Sequence, residues 1–220
     1  SELDTLITNT VGDFDVALAK VSAYAGDSSN AVDDSGGVPE LADYQALGID
    51  FSTLSNDADL VDSVNTVLAS SPVEGADVPT AEALRDIVTA YAAIRVSDDS
   101  GTLALTQSDY EALGLGEAVD FATDDTEKVA LLNSVLDAKA VTVEEVDDGA
   151  DLEAVAEVVG RVMDAADGGT ASRALSVADL ESLGLTGVTD DNLNAVTAEI
   201  SGLAVGDVDT LSELQRAVSD

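Results

Sequence analysis

The sequence predicts an all-α fold, organised as a tandem array of small three-helix bundles. Three observations support this prediction. A short motif recurs three times, apolar residues follow a helical spacing of three and four, and aromatic residues make up only 3% of the 220 residues. The apolar residues, 45% of the chain, are mostly Ala, Val and Leu. This composition favours thin cores between helices.

The recurring motif has the features of a short helix, here called helix A. Each copy ends in Leu-Gly followed by an apolar residue, and the copies cover residues 41–49, 108–115 and 178–185. The glycine lies where a helix end requires a left-handed residue. The three glycines are 66 and 70 residues apart, at Gly48, Gly114 and Gly184. The sequence therefore has a period of about 68 residues.

The start of helix A carries a capping signal. Thr106 and Ser176 each precede an aspartate by three residues, as in a capping box. The first copy has Glu40 at this position, and we expect the preceding Pro39 to start that helix instead.

A second apolar segment, helix B, follows each helix A. The segments cover residues 64–68, 132–136 and 196–200, and their spacing gives the same period. Polar residues precede them, notably Asp124 with Glu127 and residues 189–191. Such residues are typical of N-terminal caps.

A third segment, helix C, has the clearest helical periodicity. Its apolar residues are Leu84, Ile87, Val88 and Tyr91, then Leu152, Val155, Val159 and Val162, and finally Leu211, Leu214 and Val218. The same spacing is found at the start of the chain, in Ile7, Val11, Phe14, Leu18 and Val21. Residues 21–25 also match residues 88–92, so residues 1–25 are predicted to be a helix C.

The predicted order is one helix C followed by three A-B-C units. Residues 1–30 are then the last helix of a preceding, truncated repeat, and the repeats cover 31–98, 99–168 and 169–220. The third repeat is expected to be truncated, because residues 218–220 resemble residues 11–13 and carry no helix-stop signal. Helix A is too short to be stable alone, so each trio is expected to form a bundle. The bundles are either separate or fused through long shared helices C.

The net charge is −37, from 45 acidic and 8 basic residues. Nucleic acids and anionic membranes repel such a chain, because binding to either relies on clustered Lys and Arg. The sequence also has no apolar stretch of about 18 residues, so no membrane insertion is expected. The acidity either keeps the surface solvated or adapts the protein to sea water, brine or calcium.

The sequence predicts no enzyme and no catalytic residue. It contains no His and no Cys, which removes the commonest general base, the usual zinc ligands and thiol catalysis. No phosphate-binding or dinucleotide-binding glycine pattern is present. The Arg residues, Arg85 among them, are too scattered for an anion site. The sequence leaves the ligand-binding residues open.

Acidic loops are the candidate calcium ligands. They contain Asp27, Ser28, Ser29, Asn30, Asp33 and Asp34, then Asp98 and Asp99, and finally Asp147, Asp148 and Asp151. None has the alternation of an EF-hand loop. We therefore expect no defined metal site and no cofactor, with diffuse cation binding or solvation as the main role and a specific calcium site as the alternative.

Tyrosine is the other candidate for ligand contact. Tyr24, Tyr44, Tyr91 and Tyr110 would form either a ligand platform or part of the packing, and their recurrence at repeat positions favours packing.

Helix A, together with residues 189–196 of helix B and residues 207–215 of helix C, resembles the tandem acidic helical repeats of very large bacterial surface adhesins, especially from marine bacteria. The resemblance covers nearly the whole chain and is closest in the third repeat. The second repeat departs from it at residues 116–123 and 144–150. The resemblance implies an extracellular segment at the bacterial cell surface, in an adhesin or biofilm protein that often acts with calcium.

The expected function is therefore a structural extender that holds binding modules away from the cell, with neighbouring repeats of the same chain as its partners. Two alternatives remain. One is a helical module that binds a host or neighbouring-cell protein, and the other is a self-assembling segment of a surface filament or surface layer.

Overall fold

The described part of the chain is helical wherever it has regular structure. This computed structural model describes residues 2–25, 37–53, 59–70, 73, 76, 78–97, 103–121, 125–139, 149–168 and 174–219. Within these residues the all-α prediction is confirmed. None of the described helices is both long enough and apolar enough to cross a membrane.

The α-helices of the described residues are α1 Glu2–Tyr24, α2 Leu41–Ala46, α3 Leu60–Leu68, α4 Ala81–Val96, α5 Gln107–Ala112, α6 Gly116–Val119, α7 Thr126–Lys139, α8 Gly149–Ala166, α9 Val177–Ser182, α10 Leu193–Ile200 and α11 Leu211–Ser219. Helix α1 is the predicted opening helix C. The A, B and C segments of the repeats are α2, α3 and α4, then α5, α7 and α8, and finally α9, α10 and α11. Helix α6 lies in the extra stretch of the second repeat. Short 3₁₀ turns cover Phe51–Thr53 and Val205–Asp207.

Residue contacts divide the chain into two compact units. The first contains residues 1–93, 112–114 and 147–150, and the second contains residues 94–111, 115–146 and 151–220. These boundaries differ from the expected repeat boundaries at residues 30, 98 and 168. The division into repeats and the three-helix bundles therefore stay predictions.

In the first unit, α1 packs against α2. Ala17 and Val21 of α1 are buried, and Tyr44 of α2 is fully buried. The ring of Tyr44 lies 5.1 Å from the ring of Phe51, with an interplanar angle of 72°. Val11, within the predicted stripe of α1, is 54% exposed. The stripe is therefore covered towards the C-terminal end of α1 and is open to solvent at Val11.

In the second unit, α11 packs against both α10 and α7. Val196, Ile200 and Leu214 are buried at these helices. The ring of Tyr110 is fully buried and stacks on that of Phe121, with centroids 6.3 Å apart. Apart from Tyr110 and Met163, the buried apolar side chains described in this unit are aliphatic, which agrees with the composition.

The predicted ends of helix A are confirmed. All three glycines are left-handed, with φ of +77°, +77° and +92° at Gly48, Gly114 and Gly184. The next residue closes each helix by donating its backbone N–H to the carbonyl five residues earlier, as Ile49 does to Tyr44 at 3.0 Å. That residue is also buried each time, so one short motif both ends the helix and anchors the following chain.

The capping boxes predicted for helix A at Thr106 and Ser176 are confirmed. Oδ2 of Asp109 accepts from the backbone N of Thr106 at 2.7 Å, and Oδ2 of Asp179 accepts from the backbone N of Ser176 at 2.8 Å. In the first copy the expectation that Pro39 starts the helix is wrong: α2 begins at Leu41, and Glu40 at the cap donates its backbone N–H to Oδ2 of Asp43 at 2.7 Å. The aspartate is therefore the common feature, and the residue at the cap itself varies.

Helix α7 is capped in a related way. Asp124 lies outside the described residues, and the cap of α7 is Asp125, whose Oδ1 accepts from the backbone N of Lys128 at 3.2 Å. The cap predicted for α10 at residues 189–191 is wrong. The residue at the cap position is Asn192, which makes no side-chain capping bond, and Oγ1 of Thr189 accepts from the backbone N of Asn192 at 3.4 Å in the turn before the helix.

The Gly184→Ala variant is expected to lower the free energy of unfolding by about 1 kcal/mol, because an L-residue is disfavoured in the left-handed region. Urea unfolding followed by circular dichroism measures this change. Gly206→Ala is the control, since Gly206 has open space around its Cβ position and no left-handed φ. Equal effects of the two substitutions would contradict the role of Gly184.

Candidate functional site: contacts within and between repeats

A buried tyrosine joins helices A and B of the first repeat. Oη of Tyr44 donates to Oδ1 of Asn65 at 2.6 Å, and Nδ2 of Asn65 donates to the carbonyl of Pro39 at 2.9 Å. Tyr44 is fully buried and Asn65 is 4% exposed. Burial raises the pKa of Tyr44 above its ordinary value, and repulsion from Tyr24 and Asp43 raises it further. The phenol therefore stays neutral and remains a donor.

The second repeat has the same arrangement. Oη of Tyr110 donates to Oδ1 of Asn133 at 2.8 Å, and Nδ2 of Asn133 donates to the carbonyl of Leu105 at 2.9 Å. The backbone N of Leu105 also donates to Oδ1 of Asn133, at 3.0 Å. In both repeats the asparagine thus binds the residue just before the cap of helix A. We call this arrangement the Tyr–Asn clamp.

The third repeat replaces both residues of the clamp. Leu180 takes the place of the tyrosine and is fully buried, and Thr197 takes the place of the asparagine. A buried hydroxyl or amide that loses its partner is destabilising, whereas replacement of both partners is tolerated. The two positions therefore vary together.

A cation joins α1 to α2. Nζ of Lys20 donates to Oδ2 of Asp43 at 2.7 Å. Burial raises the pKa of Asp43, but the hydrogen bond from Glu40 and the Lys20 ammonium outweigh it, so the pKa lies below its ordinary value. The same carboxylate therefore caps α2 and holds the preceding helix C.

A stronger pair joins α8 to α9. Arg161 donates from Nη1 to Oδ2 of Asp179 at 3.0 Å and from Nη2 to Oδ1 at 2.8 Å. Arg161 is only 6% exposed and Asp179 only 9% exposed. The hydrogen bonds from Arg161 hold the pKa of Asp179 well below its usual range, and the same bonds raise the pKa of Arg161. Helices α8 and α9, which belong to the predicted second and third repeats, are thus bound by a bidentate, charge-assisted pair.

A second contact links the same two repeats. The backbone N of Leu211, at the start of α11, donates to Oγ of Ser134 on α7 at 3.0 Å. The first N–H groups of a helix have no partner inside the helix. Ser134 on α7, helix B of the predicted preceding repeat, therefore accepts one of these N–H groups.

The extra helix α6 rests on α8 at a glycine. A Cβ at Gly160 would lie 2.7 Å from the carbonyl oxygen of Val119, so only glycine fits there without a shift. Nζ of Lys128 donates to the carbonyls of Val119 and Asp120 at 3.1 and 2.8 Å, and it lies 3.3 Å from Oδ1 of Asp164. Lys128 and Gly160 thus hold α6 in place.

Beside α6 lies a cavity of about 410 Å³. Its lining includes Glu117, Asp120, Glu157, Arg161 and Asp164. The carboxylates favour cations, but the ammonium of Lys128 already lies next to Asp164. No cavity was predicted here from the sequence, which shows only the extra stretch at residues 116–123.

Most of the candidate calcium ligands lie outside the described residues. This applies to Asp27 through Asn30, Asp33, Asp34, Asp98, Asp99, Asp147 and Asp148. Asp151 is described and is half-buried in α8. In the described part of the chain, no group of three or more acidic side chains is arranged to hold a metal ion. A calcium site stays a prediction.

The tyrosines lie in the core. Tyr44, Tyr91 and Tyr110 are fully buried, and Tyr24 is 9% exposed. These positions agree with the packing interpretation. Sequence reasoning missed the basic partners Lys20, Lys128 and Arg161, because no spacing along the chain places them beside their carboxylates.

The Tyr44→Phe variant is expected to lower the free energy of unfolding by about 1 to 2 kcal/mol, because the Asn65 amide oxygen loses its donor while buried. The Tyr44→Leu/Asn65→Thr double variant reproduces the residues of the third repeat. Urea unfolding of Tyr44→Leu, of Asn65→Thr and of the double variant measures the coupling between the two positions. Strictly additive losses would show that the two positions act independently.

The Arg161→Ala variant is expected to lower the free energy of unfolding by about 3 kcal/mol at neutral pH, because the Asp179 carboxylate stays buried without its cation. The Arg216→Ala variant, at an exposed position, should change it by less than about 0.5 kcal/mol. Arg161→Met with Asp179→Asn should recover much of the loss, since neither side chain is then charged. A loss that persists in this double variant would contradict the ion pair as its cause.

The same pair gives a pH dependence. The folded-state pKa of Asp179 is depressed, so its stabilisation is present above the ordinary carboxyl range near pH 4 and is lost as pH falls towards the folded-state pKa. The difference in stability between wild type and Arg161→Ala should therefore shrink on acidification. Chemical unfolding at several pH values measures it, and a constant difference would contradict the assignment.

Comparison of the chain with protein-family models, with curated proteins and with solved structures gave no match.

Proposed function

We propose that this chain is a structural extender of an extracellular bacterial adhesin, which holds binding modules away from the cell in adhesion or biofilm formation. The observation that carries the proposal is the buried Arg161–Asp179 pair, which connects consecutive repeats through side chains in addition to the chain itself. A spacer with such contacts transmits force between its units.

The contacts support a load-bearing role because they join neighbours in sequence. Arg161–Asp179 joins helix C of one repeat to helix A of the next, and Ser134–Leu211 joins helix B of one repeat to helix C of the next. In repeat proteins, stability is the sum of each unit and its contacts with its neighbours. More repeats then give more length without a new kind of interface.

The composition supports the same role. The absence of His and Cys removes the most common catalytic side chains, and we propose that the chain performs no turnover. The charge of −37 keeps copies of the chain apart. Salt shortens the range of this repulsion from about 10 Å at 0.1 M to about 3 Å at 1 M, so a saline or calcium-containing exterior suits the fold. The sequence resemblance to adhesin repeats adds the cellular context.

A pulling experiment tests the proposal. The chain is attached by its two ends and extended by atomic force microscopy, with wild type, Arg161→Ala and Arg216→Ala compared. The Arg161→Ala variant is expected to unfold at lower force, because the buried carboxylate is unpaired, and Arg216→Ala should match wild type. Equal forces for all three would contradict a load-bearing role of the contact.

The rival functions give different results in solution. An extender should remain monomeric by light scattering with and without calcium, and it should retain no specific protein from host or neighbouring-cell extracts. Assembly in calcium would instead indicate a filament or surface layer. Retention of one protein would indicate a binding module.

A further inference from the structure

Two buried cations bind carboxylates at α8, and each has a different partner. Arg161 of α8 binds Asp179 of α9 through both of its terminal nitrogens, at 3.0 and 2.8 Å. Nζ of Lys128, on α7, lies 3.3 Å from Oδ1 of Asp164 on α8. The first pair connects α8 to α9, and the second connects α8 to α7.

Asp164 is placed to bind either cation. It lies three residues after Arg161 on α8, and side chains at this spacing are neighbours on one helix face, with Cβ atoms about 5–6 Å apart. Both residues line the cavity beside α6. The Asp164 side chain is 37% exposed and the Asp179 side chain only 11%, so a pair with Asp164 would cost Arg161 less desolvation. The other charged groups that line the cavity are Glu117, Asp120 and Glu157.

The position of the Lys128 ammonium is fixed by α6. Nζ donates to the carbonyls of Val119 and Asp120 at 3.1 and 2.8 Å, at the C-terminal end of that helix. An ammonium has three N–H groups, so these two carbonyls leave one for a carboxylate. Asp164 lies nearer to the nitrogen, at 3.3 Å, than Asp125 of α7, at 3.8 Å. The ammonium is therefore held where it binds the carboxylate of α8.

We propose that Lys128 is a positioning residue for the contact between α8 and α9, because it binds Asp164 and so leaves Arg161 to Asp179. Without the ammonium, Asp164 is an unpaired carboxylate one turn from the guanidinium, and Arg161 divides between two carboxylates. Helix α6 contributes by holding the ammonium beside the competing carboxylate. This inference concerns the choice of ion-pair partners and does not depend on the proposed function.

A double-mutant cycle tests the choice of partner. Urea unfolding of the full chain with Arg161→Met, Asp179→Asn and both changes gives the coupling between these two residues, expressed as an equilibrium constant. The cycle is repeated in Lys128→Gln, whose amide can still donate to the carbonyls of α6 but carries no charge. The coupling is expected to fall about tenfold in Lys128→Gln, within the range found for neighbouring residues. It should return to the wild-type value in Lys128→Gln/Asp164→Asn, because the competing carboxylate is gone.

The pH profile of the coupling is a second readout. Weaker pairing lets Asp179 take up a proton more readily, so the pH at which half of the coupling is lost should rise in Lys128→Gln. Arg216→Met is the control, since it removes a cation from an exposed position and should leave both the coupling and its pH profile as in wild type.

Two results overturn the proposal directly. One is an unchanged coupling in Lys128→Gln, and the other is a reduced coupling that Asp164→Asn does not restore, which would mean that Lys128 acts only by supporting α6. Asp164→Asn alone changes a half-exposed residue, so it provides a test even if Lys128→Gln does not fold. It should keep the wild-type coupling, because Lys128 already binds Asp164. A severalfold increase would show that Asp164 competes for Arg161 in spite of Lys128, and the proposal would be wrong.

Discussion

The rest of the structure depends on the aspartate near the start of helix A. A helix of six residues cannot persist without help from its surroundings, and Asp43 and Asp179 provide two kinds of help at once. Each carboxylate accepts the backbone N–H at the cap, and each binds a cation from the preceding helix C, Lys20 or Arg161. Helix A is thereby fixed in its own repeat and against the helix before it.

Basic residues are rare in this chain, and several of them lie where helices meet. Among the described residues, Lys20, Lys128 and Arg161 each contact an acidic side chain at a half-buried or buried place between helices. A chain with 45 acidic and 8 basic residues repels itself over most of its surface. Its cations have most effect where helices meet and water is excluded, since charges interact more strongly there.

The predicted repeats share one order of helices, and the contacts at matching positions change together. The clamp of Tyr44 with Asn65 becomes Leu180 with Thr197 in the predicted third repeat, so the buried phenol and its amide partner are replaced together. In the second repeat, helix α6 is accommodated because Gly160 has no side chain and Lys128 binds the carbonyls at its end. Each change at one position is thus matched by its neighbour in space.

The sequence by itself determined helices A, B and C, their order and the glycine ends of helix A, but not helix α6 or the starts of α2 and α10. Capping boxes, left-handed glycines and apolar stripes are patterns within a few residues, and local backbone geometry decides their outcome. The tertiary structure alone decided which residues meet across helices. Arg161 and Asp179 are 18 residues apart, and Leu211 and Ser134 are 77 apart. Such pairs depend on the angle at which two helices cross. The crossing angle is set by the packing of all side chains at the contact, and no spacing along the chain specifies it.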